Sequence, residues 1–246
     1  MQSVKLIGVT QPVIDDASDA NELIAFIARV SNPGNQSNMD TAGKLIKYLL
    51  KNKHWSPLEM CHMVIEIVTT RDIGRQILRH RSFSFQEFSQ RYALATDFAD
   101  PREARLQDKK NRQNSIEVDD KKLNSEWRAK QHEVIDNSNY AYAWAIENGI
   151  AKEVARSVLP EGLVNTVMYM SGSIRSWVHY CDLRMTAGTQ KEHKEIALLC
   201  FNILCDSFPY IEEYFGGRKI AANEYGSPQE DVVFDCTSSR YFMRSD

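Results

Sequence analysis

Apolar positions follow two rhythms along the chain, and each predicts elements. VKLIGVTQPV (4–13) reads as an opening strand that ends at Pro12. ANELIAFIARVS (20–31) has apolar residues at helical spacing with Asp19 placed to cap it, and TAGKLIKYLLKN (41–52) is a second amphipathic helix. NPGNQSN (32–38) between them has loop composition. MCHMVIEIVTT (60–70) is rich in β-branched residues and reads as a buried strand, with RDIGRQILRHR (71–81) helical behind it. SFSFQEFSQRY (82–92) shows no period and reads as a loop. Residues 97–125 are charged and poor in apolar positions, as in an exposed, mobile insertion.

The second half reads mostly as helices. A long one covers 125–149 and stops at Gly149, and a short one over 150–160 is broken by Pro160. NTVMYMSGS (165–173) is strand-like, with Met168 and Met170 alternating with Val167 and Tyr169. Helices follow over 174–184 and 191–208. There is no internal repeat and no linker-like stretch, so the order of elements predicts one α+β domain, a small, mostly antiparallel sheet covered by helices.

Composition narrows the setting. The 246 residues are 43% hydrophobic and 26% charged, with a formal net charge of −3. That gives no general reason to expect nucleic acid or an anionic membrane as a partner. No run approaches the roughly 20 apolar residues of a membrane span, and the N-terminus does not resemble a signal peptide. A cytoplasmic protein is expected, or one in the host cytoplasm if a virus encodes it. The five cysteines, Cys61, Cys181, Cys200, Cys205 and Cys236, form no CxxC pair and read as reduced, buried residues. No His/Cys grouping suggests a metal. His132 and His193 sit on charged helices and read as solvated; His54 reads as packing or turn chemistry.

Against this background, one window is distinctive. Arg71, Arg75, Arg79, Arg81 and Arg91 stand there against only Asp72 and Glu87, with no lysine. Arginine makes planar, bidentate bonds to phosphate that lysine cannot. On a helix, Gln76, Arg79 and His80 share a face. Ser84, Gln86, Glu87 and Ser89 follow, able to read the sugar or base of a nucleotide. A surface helix followed by a polar loop would explain any two of these arginines, but not all five in so short a window.

RHRSFSFQEFSQRY (79–92) resembles the signature RHRxxSxNxxSxR of flavin-dependent thymidylate synthases, with Gln86 in place of Asn. ARVSNPG (28–34), HWSPLE (54–59), ARSVLP (155–160) and SIRSWVHYCDLR (173–184) resemble further family segments. Met60 stands where the family often has His, and Ser173 where it has Asn.

The resemblance implies an enzyme that methylates deoxyuridylate. FAD is its cofactor, NADPH and methylenetetrahydrofolate are cosubstrates, and the assembly is a homotetramer with sites shared between subunits. It places FAD against Arg79, His80, Arg81, Gln86, Glu87, Ser173, Arg175 and His179. It places deoxyuridylate against Gln76, Arg79, Glu87, Ser89, Gln90, Arg91, Arg156 and Arg184. Arg184 and Ser89 are the catalytic candidates. Arg184 would polarise the uracil, and Ser89, with no His–Asp partner in view, would position it. Arg175 and Arg184 lie about 180° apart on an ideal helix, which a shared-site assembly accommodates. Methylation at C5 by the cysteine route uses a thiolate, normally in a Pro-Cys pair, and this chain has no Pro-Cys. Three other readings stay open: a related flavin enzyme acting on another pyrimidine nucleotide, an arginine-rich RNA-binding module, and a catalytically dead homologue that folds as a tetramer without flavin. The net negative charge and the absence of lysine around the arginines weigh against the second.

Overall fold

The structure, a computed structural model, describes residues 2–216; Cys236 lies outside them. In chain order the elements are β1 (Ser3–Val9), α1 (Ala20–Ala28), α2 (Ala42–Lys51), β2 (His62–Thr70), α3 (Arg71–Ile77), β3 (Ser84–Glu87), β4 (Arg105–Gln107), β5 (Ser115–Glu117), α4 (Lys121–Glu147), α5 (Lys152–Ala155), β6 (Asn165–Ser173), α6 (Ile174–Arg184), α7 (Lys191–Ser207) and α8 (Ile211–Tyr214). The main sheet has the order β1-β2-β6-β3 and every pair in it is antiparallel. This is the small antiparallel sheet with helices that the element order predicts.

The β2–β6 ladder is the spine. Met63 faces Gly172, Ile65 faces Met170, Ile67 faces Met168 and Thr69 faces Thr166. All eight are buried, so one face of the sheet is core. The intervening residues point the other way, where Glu66 meets the 40%-exposed Tyr169. Strand alternation therefore gives the sheet an inner, helix-covered face and an outer, open one. On the inner face α6 and α7 pack through Trp177, Tyr180, Ile196, Cys200 and Phe201. Gly172 is needed there, because a Cβ would run into the Phe83 ring. A smaller cluster of Ala95, Tyr142, Ala145, Ala155 and Val164 holds α4 and α5 to the start of β6.

Both β2 and β6 pass into a helix without a loop. The two strands are antiparallel, so α3 leaves one end of the ladder and α6 the other. Nine residues of strand span about 30 Å. Helices of 7 and 11 residues are about 10 and 16 Å long. Two such helices running back over the ladder end close to each other, and this brings His80 to Arg184.

Several boundaries differ from the expectation. The opening strand ends at Val9, before Pro12. Asp19 does cap α1, accepting from the Glu22 N–H at 2.8 Å. The helix expected over 71–81 stops at Ile77, because the chain then turns to carry Phe83 into the core. Residues 84–87, expected as loop, form β3 on the free edge of β6; four residues are too few to show a period. The helix expected over 150–160 is only α5 and a 3-10 turn at Arg156–Val158. The long helix begins at Lys121 with Asp120 as its cap, and Gly149 just past its end takes φ 75°.

The stretch expected as a mobile insertion carries the β4–β5 hairpin. Polar contacts rather than apolar burial tie it down. Arg102 gives both Nη groups to Asp72 at 2.8 Å and also reaches Thr70. The Gln131 side chain bonds the Arg102 N–H and C=O, each at 2.8 Å. Lys191 bridges Glu103 and Glu117, and Arg105 pairs with Glu192. Burial alone would raise the Asp72 carboxyl, but the bonds from Arg102 and Thr70 outweigh it and hold it below the usual range.

Candidate functional site

The inner face carries three of the nucleotide-reading candidates, Gln76, Glu87 and Arg184. At the end of α6, Arg184 Nε donates to His80 Nε2 at 2.8 Å. His80 must therefore be neutral, with its proton on Nδ1. Burial pushes it down to about 4, helped by the charges of Arg184 and His179. Only the Nε of Arg184 is engaged within the chain, among the described residues, so its outer guanidinium edge is available to a ligand. Gln76, on α3 four residues before His80, joins the same group. It donates to Gln190 at 2.7 Å, and its carbonyl oxygen lies 3.2 Å from His193 Nδ1.

His193 is a correction. It was expected to be solvated on a charged helix, yet it is 0% exposed, packed against Tyr180 and 6.3 Å from the His80 ring. Lys191, Glu192 and Lys194 beside it mask a position that faces the core. Burial, with Arg184 and His80 nearby, pushes it down to about 3.

Further along the inner face, Glu87 accepts from Thr166 at 2.8 Å and lies 3.4 Å from Arg71. Arg75 is taken by Glu161, with its Nε donating at 2.6 Å, so its repulsion from Arg79 is relieved by an acid of the chain itself. Arg91 pairs with Glu153 at 3.3 Å, on the short turn that also carries Arg156. Ser89 Oγ accepts from the Arg91 N–H at 3.4 Å, and among the described residues no acid–histidine pair bonds to it. Gln90 is buried and its Nε2 has no partner among the described residues.

The flavin candidates divide. Ser173 and Arg175 meet around Glu59, which accepts from Ser173 Oγ at 2.5 Å and from Arg175 Nη1 at 2.9 Å. With His62, Ser84 and Ser171 they line a polar cavity of about 220 Å³. Ser84 and Ser171 belong to the outer face of the sheet, and so does Gln86, opposite Tyr169. Arg79, Arg81 and His179 are exposed. Thus the structure brings His80, Gln76 and Arg184 together on one side, and Ser173 and Arg175 together at another place, without uniting the two sets in one chain. The roughly half-turn between Arg175 and Arg184 on α6 is realised in their separate partners, Glu59 and His80. Glu59 lies in the HWSPLE segment, and nothing in that segment marks it as the partner of Ser173 and Arg175. Gln190 and Thr166 had no signal at all, since each is defined by a partner far along the chain.

Candidate nucleophiles are poor. The four described cysteines are all buried. Burial pushes the Cys61 thiol up to about 11 and raises those of Cys181 and Cys200 as well. Among the described residues no grouping could hold a metal ion, and no helix is long and apolar enough to cross a membrane.

The low-lying histidines set a pH dependence. Both folded values lie below the roughly 6.5 of a free histidine, so the unfolded chain takes up these protons first. Their contribution to stability is complete above about pH 6.5 and is lost as pH falls towards about 4 for His80 and about 3 for His193. We expect the melting temperature to drop more over that interval in the wild type than in a His80→Gln variant, whose amide oxygen can still accept from Arg184. Parallel curves would show that His80 takes up its proton in the folded protein as readily as in the unfolded chain.

A family model described as thymidylate synthase complementing protein matches residues 12–210. A probable flavin-dependent thymidylate synthase of Paramecium bursaria Chlorella virus 1 is 49% identical over 209 residues, which cover 85% of this chain and 96% of that one. A flavin-dependent thymidylate synthase of Synechocystis sp. is 48% identical over 211 residues, with the same coverage. The crystal structure of a UMP/dUMP methylase, PolB, from Streptomyces cacaoi bound with 5-Br UMP superposes with a TM-score of 0.74. It covers 88% of this chain and 94% of that one at 22% identity, a likeness of fold alone. With a family model matched over most of the chain and near-half identity to two such enzymes over almost their whole length, the chain belongs to the flavin-dependent thymidylate synthase family.

Proposed function

We propose that this protein converts deoxyuridylate to thymidylate. A one-carbon unit passes from methylenetetrahydrofolate to C5 of the uracil, and the reducing electrons come from NADPH through FAD. The products are thymidylate, tetrahydrofolate and NADP⁺. One observation carries the reading: a guanidinium, Arg184, is held by a neutral histidine with its outer edge free, while every described thiol is buried. A positive group fixed beside the uracil carbonyls stabilises charge developing on the ring, and this replaces activation by a thiolate. Gln76 supplies an oriented amide for the base, while Arg91 and Arg156 supply cations for the phosphate. Ser89 positions the nucleotide.

The donor set around Glu59 fits one end of a flavin dinucleotide. Glu59 can accept hydroxyl protons, while Arg175, Ser84 and Ser173 offer donors. Bound flavin supplies two-electron hydride chemistry that no side chain can. The cavity is smaller than the roughly 300–1,000 Å³ that encloses a drug-sized ligand. In this reading Arg79, His80, Arg81, Gln86 and His179 meet the rest of the dinucleotide on a surface that a second copy of the chain covers. The flavin set around Glu59 and the nucleotide set around Arg184 would then complete one another across subunits of a homotetramer. An open apolar groove of about 430 Å³ between α4 and α5, lined by Tyr140, Trp144, Val154 and Val158, offers surface for such contacts.

The test is absorption spectroscopy of the purified protein with FAD, followed by addition of deoxyuridylate, UMP or deoxycytidylate. The expected result is bound flavin whose spectrum responds to deoxyuridylate, and thymidylate formed in step with NADPH oxidation and tetrahydrofolate release. Methylation of a different pyrimidine nucleotide would move the substrate assignment, and failure to bind flavin under any condition would overturn the mechanism.

A further inference from the structure

Side-chain amides can usually be turned end for end without a visible change, but here one carboxylate fixes the direction of a whole chain of bonds. Glu192 is paired with Arg105 and can only accept. The Gln190 side chain donates Nε2 to it at 2.9 Å, which leaves Gln190 Oε1 as an acceptor. That oxygen receives Gln76 Nε2 at 2.7 Å, so Gln76 Oε1 must be the end facing His193 Nδ1 at 3.2 Å. Two acceptors cannot bond, so His193 carries its proton on Nδ1. Its Nε2 is then a bare lone pair, buried and without a partner among the described residues. Burial and the neighbouring Arg184 and His80 keep the ring neutral, with a value of about 3. The imidazole therefore adds no second positive charge beside the Arg184 guanidinium.

We infer that His193 is a positioning residue for nucleotide binding: its Nδ1–H, given to Gln76 Oε1, locks the Gln76 amide in one orientation at the base-reading side of the site. One N–H of Gln76 and one lone pair of its oxygen remain for the ligand, in a fixed arrangement. Without the histidine donor the amide could turn over and present its ends reversed, and part of the binding would go into ordering it again. This inference rests on the deoxyuridylate reading of the site.

Three substitutions separate donation from packing. His193→Phe fills the space but has no donor. His193→Asn places an amide N–H near the position of Nδ1. His193→Gln places it near Nε2. Flavin occupancy and melting temperature are recorded for each, and the response of bound flavin to deoxyuridylate gives the affinity. We expect a loss on the order of tenfold in deoxyuridylate affinity for His193→Phe and for His193→Gln, and recovery to within about twofold for His193→Asn. Unchanged affinity in His193→Phe, rescue by Gln, or loss in the Asn variant as well would each overturn the inference. If His193→Phe does not fold, the contrast between Asn and Gln decides. Nitrogen-15 spectra of labelled histidine, recorded without ligand, should show His193 as the neutral Nδ1–H tautomer, and the opposite tautomer refutes the relay directly. A wild-type protein with that tautomer but no response to deoxyuridylate would bring down the functional reading and this inference together. A responsive wild type with an equally responsive Phe variant would remove this inference alone.

Discussion

Arg184→Ala should lower thymidylate formation by about 10²–10³-fold, the usual cost of removing one preorganised donor at a developing negative charge. Flavin occupancy should stay as in the wild type, because Glu59, Ser173 and Arg175 meet at the other end of α6. Arg184→Lys should recover little. A lysine presents a point charge and cannot hold His80 through one nitrogen while offering two more to the uracil. Steady-state turnover, with flavin content read from absorption, checks both statements. Near-normal turnover in Arg184→Ala would remove the assigned role, and loss of flavin would show that the two ends of α6 are not independent.

Trp177→Ala should cost about 3–5 kcal/mol of stability, the range for deleting a large buried aromatic. Trp177 is 0% exposed, with its ring edge-on to Phe83 at 4.8 Å and to Tyr180 at 5.9 Å. Its Nε1 donates to the Met63 carbonyl at 3.0 Å, which fastens α6 to β2. Truncation leaves a void and removes the bond from the indole to the Met63 carbonyl. Trp177→Phe refills part of the void and should lose less, chiefly the hydrogen bond, worth about 1 kcal/mol. Denaturant midpoints measure both variants. A loss under about 1 kcal/mol for the alanine would mean that α6 is held to the sheet by other contacts.

Much of this was legible because periodicity reports burial directly. Met63, Ile65 and Ile67, with Met168 and Met170 opposite, announce the ladder by alternation alone. Asp19 and Gly149 mark helix ends through local chemistry that needs no distant partner. The arginine motif was legible as chemistry and, through resemblance, as family. Features made by distant pairs were not. The β3 strand exists because β6 has a free edge to receive it, and nothing within SFQE states this. The β4–β5 hairpin is anchored by charged residues, which in a sequence look like solvent-facing ones. For the same reason His193, set among charged neighbours, could not be recognised as buried: its burial depends on Tyr180 and Gln76, which stand far from it in the chain.

The loop-free joints at Thr70–Arg71 and Ser173–Ile174 also govern motion. A strand running straight into a helix leaves no irregular residues to act as a hinge, and at the second joint Ser173 Oγ further pins the helix by accepting from the Ser176 N–H. Each of the two helices moves with the strand that precedes it, and those strands are locked to each other along nine paired residues. A fluctuation of the sheet carries α3 and α6 along as one body, and with them Arg184 and the short turn that holds His80.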